Sequence, residues 1–239
     1  MRRLRRLVPL LGILVLVLAG CMPQPGTKQA QEMSNLYLVF LGGGVIVAGI
    51  VWGLATFALI RYRGRKDHLP PQDRGSYLIE GIWTVIPLIT VLVLFGLTVV
   101  TLDSVNAESK HPSVNVTVTG FQWQWRFTYP DDGIVITGQI GEPPTLVLPV
   151  GEVIHVKVES LDVIHSFFVP GFLFKRDAIP GRPSTFDLTI QKAGDYPGQC
   201  AEFCGVFHDA MTFTVHAVDP AAYQQWLQTT KATQGAGGG

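Results

Sequence analysis

Cysteine is scarce in this chain, with three in 239 residues, and charge is scarce too, at 15% of residues. Three cysteines cannot build the multi-bridge framework of a small secreted scaffold. The 18 Lys and Arg are matched by 18 Asp and Glu, so the chain as a whole has no basic excess with which to hold nucleic acid. No internal repeat is present, which excludes a solenoid or propeller. Apolar residues, by contrast, make up 47%. They concentrate in three blocks before residue 103, after which short strand-like runs are separated by Gly and Pro.

The first block opens with Arg2, Arg3, Arg5 and Arg6, continues through Leu7–Leu18 and stops at Ala19-Gly20-Cys21. A basic head, a short apolar centre and a small-residue end make a secretory signal, and the apolar run is too short to span a bilayer comfortably. Leu18-Ala-Gly-Cys21 resembles the bacterial lipoprotein box, which implies cleavage after residue 20 and a lipid on Cys21 at the head of an external linker over 21–35. The second block, Leu36–Ile60, has 25 residues without a charge, about 37 Å as a helix. The third, Ile82–Leu102, has 21, also uncharged, with Pro87 expected in its first turns. Both are long enough to span a membrane. The intervening loop over 61–81 carries Arg61, Arg63, Arg65, Lys66 and Arg74 against Asp67, Asp73 and Glu80. The positive-inside rule puts it in the cytoplasm, leaving both ends of the mature chain outside a bacterial inner membrane.

From Asp103 to Gly239 there are 8 Lys and Arg against 14 Asp and Glu, a net charge of −6. An acidic exported domain steers a basic soluble partner and gives no reason to expect nucleic acid, although the same charge also simply solubilises. Within it the sequence reads as strands over 114–119, 121–129, 145–150, 153–158, 184–190 and 211–217, with turns at Asp131-Asp132-Gly133, Gly151-Glu152 and Ala193-Gly194-Asp195. About 100 residues of short strands with long connections predict an all-β Greek-key sandwich or barrel over 103–219. A helix is expected over 220–229 and a disordered Gly-rich tail after it.

The chemistry concentrates in Cys200-Ala-Glu202-Phe-Cys204-Gly-Val-Phe-His208-Asp-Ala-Met211. Two thiols, an imidazole and a thioether within twelve residues are more than a disulfide needs, and zinc gains little from a thioether. Soft thiolate and thioether ligands with imidazole are the donors of a copper electron-transfer site, and the second cysteine suggests two coppers sharing two bridging thiolates. His165, at the start of a strand in Asp162-Val-Ile-His165-Ser-Phe167, is the candidate second imidazole. Phe203, Val206 and Phe207, interleaved with the ligands, are expected to form a dry apolar shell around them. His155 alternates with Ile154 and Val156 and reads as a strand residue without a partner nearby; His68, His111 and His216 stand alone.

The pattern Cys-x3-Cys-x3-His-x2-Met with an earlier Asp-Val-x-His-Ser resembles subunit II of cytochrome c oxidase, and the likeness extends over nearly the whole chain from the second block. The resemblance implies a two-helix transmembrane hairpin followed by a cupredoxin-like barrel carrying the binuclear copper centre called CuA. It implies Cys200 and Cys204 as bridging ligands, one copper on each of His165 and His208, and Met211 and the Glu202 carbonyl as the weak ligands. It further implies a magnesium ion at the Glu202 side chain, where subunit I is met, with Lys175–Arg182 facing the same contact. Phe121-Gln-Trp123-Gln-Trp125 resembles the family's aromatic strand, which makes Trp123 the point where electrons come in; Gln124 stands where many members have Tyr. Read without the family, three alternating aromatics are a packed sheet face. Glu80, in Glu80-Gly-Ile-Trp83, resembles the residue at the cytoplasmic mouth of a proton pathway; an interfacial anchor is the other reading.

The implied function is electron uptake from cytochrome c or a small blue copper protein, with transfer to haem in subunit I of a proton-translocating oxidase, where oxygen is reduced. Asp131, Asp132 and Asp162 are the acidic candidates for the carrier's docking face. A quinol oxidase subunit would lack the copper ligands, and a stand-alone tethered copper protein would need only one span.

Overall fold

The computed structural model of the chain describes residues 23–63 and 75–236. The signal sequence, Cys21, His68 and most of the basic loop lie outside the described residues. The chain divides into two units, one over Gln31–Ala107 and one built from Glu108 onward together with the described residues before Gln31.

In the first unit, α1 (Lys28–Arg61, whose opening residues belong to the second unit) and α2 (Tyr77–Val105) are long and apolar enough to cross a membrane. At 34 and 29 residues they outrun the uncharged blocks at both ends. A helix continues into polar sequence as long as its backbone bonds can be made, so charge marks the apolar span and not the helix end. Glu80 therefore lies in the first turn of α2 rather than in the loop. Pro87 is interior, not in the first turns, because α2 begins at Tyr77. Their large apolar side chains are nearly all exposed in the hairpin, the pattern of a lipid-facing surface.

The second unit is a sandwich of two five-stranded sheets. One sheet is ordered β3 (Ile134–Thr137), β2 (Gln124–Tyr129), β1 (Val114–Phe121), β5 (Ile154–Ser160) and β8 (Ser184–Leu188). The other is ordered β4 (Thr145–Pro149), β10 (Thr212–Val218), β9 (Gly194–Cys200), β6 (His165–Val169) and β7 (Phe174–Ala178). Pairing is parallel for β1 with β5 and for β4 with β10, and antiparallel elsewhere. Strict alternation buries Ile154, Val156 and Val158 from β5 and Phe213, Val215 and Ala217 from β10, so the two inner faces meet over one core.

Aromatic rings fill the middle of that core. Phe167 stacks on Phe213 at 4.8 Å between centroids, and Trp125 meets both edge-on. Tyr129 joins the sheets by its hydroxyl, which donates to the Val147 carbonyl at 2.8 Å and accepts the Val147 N–H at 2.9 Å. β7 and β9, with their Gly, Pro and charged residues, show no strand pattern in sequence, and the four-residue β3, Ile-Val-Ile-Thr, is too short to stand out. Sheet pairing holds them regardless, since strand preference depends on neighbours more than on the residue itself.

The expected strand over 121–129 is two strands. Phe121 pairs with Gln124 across the antiparallel β1–β2 ladder, which leaves Gln122 and Trp123 as the tight turn. The three aromatics thus do not share one face. Residues 24–30 are held on the β unit rather than forming a free linker. The Gly26 and Lys28 amides donate to Gly171 and Thr189, the Gly26 carbonyl accepts the Gln191 N–H, and the Thr27 hydroxyl caps α1 through the Ala30 N–H. The C-terminal helix, α3 (Pro220–Ala236), runs seven residues past its expected end. Gln234 explains part of the extension: its side-chain amide bonds both backbone groups of Val135 on the edge strand β3.

A methyl group on Gly198 would lie 2.2 Å from the Phe213 ring, inside the stacked cluster. Gly198→Ala is expected to destabilise the β unit by about 1–3 kcal/mol. A thermal unfolding midpoint equal to that of the parent protein would contradict this packing.

Candidate metal centre

All six expected donors converge at one end of the sandwich. His165 opens β6, Cys200 closes β9, and the segment 201–211 between β9 and β10 supplies the rest. That segment is tied shut at its base, where the Cys200 N–H donates to the Met211 carbonyl at 3.0 Å and the Ala201 N–H to Ser166. Inside it, turn bonds from His208 to Gly205, Ala210 to Phe207 and Met211 to His208 keep the chain coiled back on itself. The spacing in sequence thereby becomes a cluster in space.

The two thiols face each other at 3.9 Å and are free, too far apart for a disulfide. His165 Nδ1 lies 3.9 Å and the Glu202 carbonyl 3.3 Å from Cys200 Sγ. His208 Nδ1 lies 3.5 Å and Met211 Sδ 3.8 Å from Cys204 Sγ. The donors therefore divide into two sets around a shared sulfur pair. His165, Cys200 and Cys204 place their ligand atoms within 4.8 Å of one another, and all three are buried. Two sulfurs bound to one ion at about 2.3 Å each can stand at most about 4.6 Å apart, so both thiolates can reach a common ion. Six donors, one a thioether, exceed the four of a structural zinc site and suit a soft redox metal.

Electrostatics prepares the cysteines differently. Burial pushes the Cys200 thiol up, but hydrogen bonding, with His165 foremost, outweighs it and brings the group to about 7. Burial and then the charge on Cys200 push Cys204 up to about 12. Burial lowers His165, yet Cys200 and Asp162 together hold it above its ordinary value. His165 Nε2 stands 2.8 Å from Asp162 Oδ1, which directs Nδ1 toward the sulfurs. Burial raises Asp162 but is outweighed by the N–H groups of Gln122 and Val163 and by His165, leaving it below the usual carboxylate range. This outer carboxylate was legible only as an Asp three residues before a His.

Trp123 sits on the centre. Its indole N–H donates to the Cys204 carbonyl at 3.1 Å, and its ring meets Phe207 edge-on at 5.1 Å. Trp125 is wholly buried, donates to the Met211 carbonyl and packs against His165. The expected apolar shell is misplaced: Phe203, Val206 and Phe207 are 81%, 80% and 43% exposed. They point outward because the 201–211 segment turns its ligands inward, and the dry wall behind the ligands is made by Trp125, Phe167 and Phe213.

The other histidines are elsewhere. His155 has a partner after all, Asp187 at 2.7 Å, and His216 pairs with Asp195 at 2.5 Å; neither approaches the sulfurs. Of the acidic candidates, Asp132 is engaged by Lys231 and Asp131 by Asn115, while Asp162 serves His165. The Glu202 side chain meets Lys175 at 3.3 Å, which joins it to the Lys175–Arg182 segment.

The sequence pattern described as cytochrome C oxidase subunit II, transmembrane domain, matches residues 20–102, and that of the periplasmic domain of the same subunit matches 138–218. The probable cytochrome c oxidase subunit 2 of Streptomyces avermitilis is 34% identical over 91% of this chain and 83% of its own length. The cytochrome c oxidase subunit 2 of Corynebacterium diphtheriae is 30% identical over 86% and 74%. Among solved structures, the periplasmic domain of subunit II of cytochrome oxidase from Bradyrhizobium japonicum has 32% identity and a TM-score of 0.48, covering 53% of this chain and 99% of that one.

Metal uptake at neutral pH must displace the Cys204 proton, since that thiol is held near 12. Loading with a thiophilic ion in weak buffer at pH 7 is expected to release at least one proton per chain. Binding is expected to weaken as pH falls below about 7, where Cys200 protonates as well. Titrations that superimpose at about pH 6 and 8 would contradict the assignment.

Proposed function

This chain belongs to the cytochrome c oxidase subunit II family, and from that premise we propose that its sulfur pair holds a binuclear copper centre fed through Trp123. As subunit II it is a membrane component of a haem-copper oxidase, taking in electrons that other subunits use to reduce oxygen. The observation that carries the copper reading is the gathering of two imidazoles, a thioether and a carbonyl around the facing Cys200 and Cys204 sulfurs. His165 and His208 would each hold one ion, with Met211 and the Glu202 carbonyl as the weak ligands and both thiolates shared. Such a pair accepts and releases one electron with little movement of its ligands. The chain's own task is to keep one geometry in both redox states, which the buried His165–Asp162 pair and the aromatic wall serve.

Electrons arrive at the exposed ridge of Phe203, Val206 and Phe207 beside the half-buried Trp123, where apolar surface suits close docking of a small carrier, cytochrome c or a blue copper protein. The net charge of −6 favours a basic one. The Glu202 side chain and the Lys175–Arg182 segment face subunit I, with a magnesium ion at Glu202. Glu80 stands at the mouth of a proton path at the start of α2. The β unit, both chain ends and a lipid on Cys21 lie on the outer side of the bacterial inner membrane, over a cytoplasmic 61–81 loop.

Metal analysis with electron paramagnetic resonance on the purified full chain tests the centre. Two coppers per chain sharing one unpaired electron are expected, and Cys200→Ser should lose that signal; one copper, or zinc, overturns the reading. Trp123→Phe should slow copper reduction by reduced cytochrome c by about tenfold, a barrier rise of about 1.4 kcal/mol, with the copper spectrum intact. A normal rate would remove Trp123 from the route.

A further inference from the structure

The Gln122–Trp123 turn is bonded toward both sulfurs at once. On one side the Gln122 backbone N–H donates to Asp162 Oδ2 at 2.6 Å, and the other Asp162 oxygen holds His165 Nε2, whose Nδ1 faces Cys200. On the other side the Gln122 side-chain amide donates to the Cys204 carbonyl at 2.8 Å, the same oxygen that accepts the Trp123 indole N–H. A carbonyl oxygen has two lone pairs, and here both are engaged by this one turn. From that oxygen, only the covalent bonds through the carbonyl carbon, Cα and Cβ separate the indole from the Cys204 sulfur.

Gly205 makes the approach possible. A Cβ there would stand 3.0 Å from Trp123 Nε1 and 3.3 Å from Gln122 Nε2, and its φ of +123° lies where side chains are disfavoured. The indole packs on its inner side against the core and on its outer side meets the edge of Phe207, which is itself substantially exposed. A half-buried indole with one hydrogen bond could still tilt in its seat; a second donor on the same carbonyl, from the adjacent residue, fixes the turn and with it the ring.

We propose that Gln122 is a positioning residue for electron transfer: its amide, clamped on the Cys204 carbonyl beside the indole and anchored behind by Asp162, keeps Trp123 seated on the shortest bonded path to the sulfur pair. The inference rests on Trp123 being the point of electron uptake. The step itself is balanced by one electron leaving the reduced carrier and one arriving at the copper pair, with no bond made or broken and no proton moved. Gln122 touches neither carrier nor metal in this role; it acts through Trp123.

The test uses the purified oxidase with reduced cytochrome c as probe. It reads the limiting rate of copper reduction after rapid mixing, the cytochrome concentration at half that rate, and the copper spectrum. In the full chain labelled at tryptophan, it also reads solvent exchange of the Trp123 indole N–H. Gln122→Asn keeps the amide but is one methylene short of the carbonyl, and Gln122→Leu removes the donor; if the second fails to assemble, the first decides. Both are expected to lower the limiting rate by up to about fivefold, the change in the seated-to-displaced ratio that follows from losing one neutral hydrogen bond. The half-saturating concentration and copper spectrum should not change, and indole exchange should accelerate. Gly205→Ala should lower the rate similarly by pushing the ring off its seat. A higher half-saturating concentration at an unchanged limiting rate would make Gln122 a carrier contact and overturn the proposal, as would an altered copper spectrum or unchanged indole exchange. If Trp123→Phe is slow and Gln122→Asn is not, this inference alone fails; if Trp123→Phe is as fast as the parent, both fall.

Discussion

Two sulfur atoms that are to share a metal must stand within bonding distance of a common ion and yet not be bonded to each other. The 3.9 Å between Cys200 and Cys204 meets that condition, and the surrounding architecture follows from it. Cys200 is fixed at the end of a paired strand, while Cys204 is fixed by a segment whose two ends are bonded together. The backbone bonds of β9 and of the turns after it fix where the two cysteines stand in the chain. Burial raises both thiols, but hydrogen bonding led by His165 brings Cys200 to about 7 while Cys204 stays near 12, so that the two differ in how readily they ionise.

The sandwich supplies this constraint through its aromatic core. Trp125, Phe167 and Phe213 back the ligands with rings that have little freedom to shift, and Trp125 also reaches the Met211 carbonyl at the closure of the ligand segment. Polar groups in front of the ligands complete the enclosure. Asp162 holds His165 in one tautomer, and the Gln122–Trp123 turn caps the Cys204 carbonyl. The apolar side chains interleaved with the candidate ligands are released to the surface, where they form an exposed ridge.

Order in the membrane part has a different source. The helices of the hairpin carry almost no inward-facing apolar side, and their length and uniform apolarity express a lipid environment. The β unit alternates buried and exposed residues because one face of each sheet meets water. The change of pattern near residue 103 reflects this change of solvent and therefore reads directly from the chain.

The sequence by itself determined the two spans, the all-β class of the domain after residue 103 and which residues were candidate donors. Uncharged runs, residue alternation and the rarity of Cys, His and Met within twelve residues are local properties. It misread the features that depend on partners far along the chain. The break at Gln122–Trp123 comes from the β1–β2 register, and the partnership of His155 with Asp187 joins two strands 32 residues apart. The outward turn of Phe203, Val206 and Phe207 arises from a segment closed by a bond between Cys200 and Met211. Only the tertiary structure could bring His165 to Cys200 across 35 residues and join the Trp123 indole to Cys204 across 81, because the sandwich fixes those distances through strand pairing and core packing and no short-range pattern encodes them.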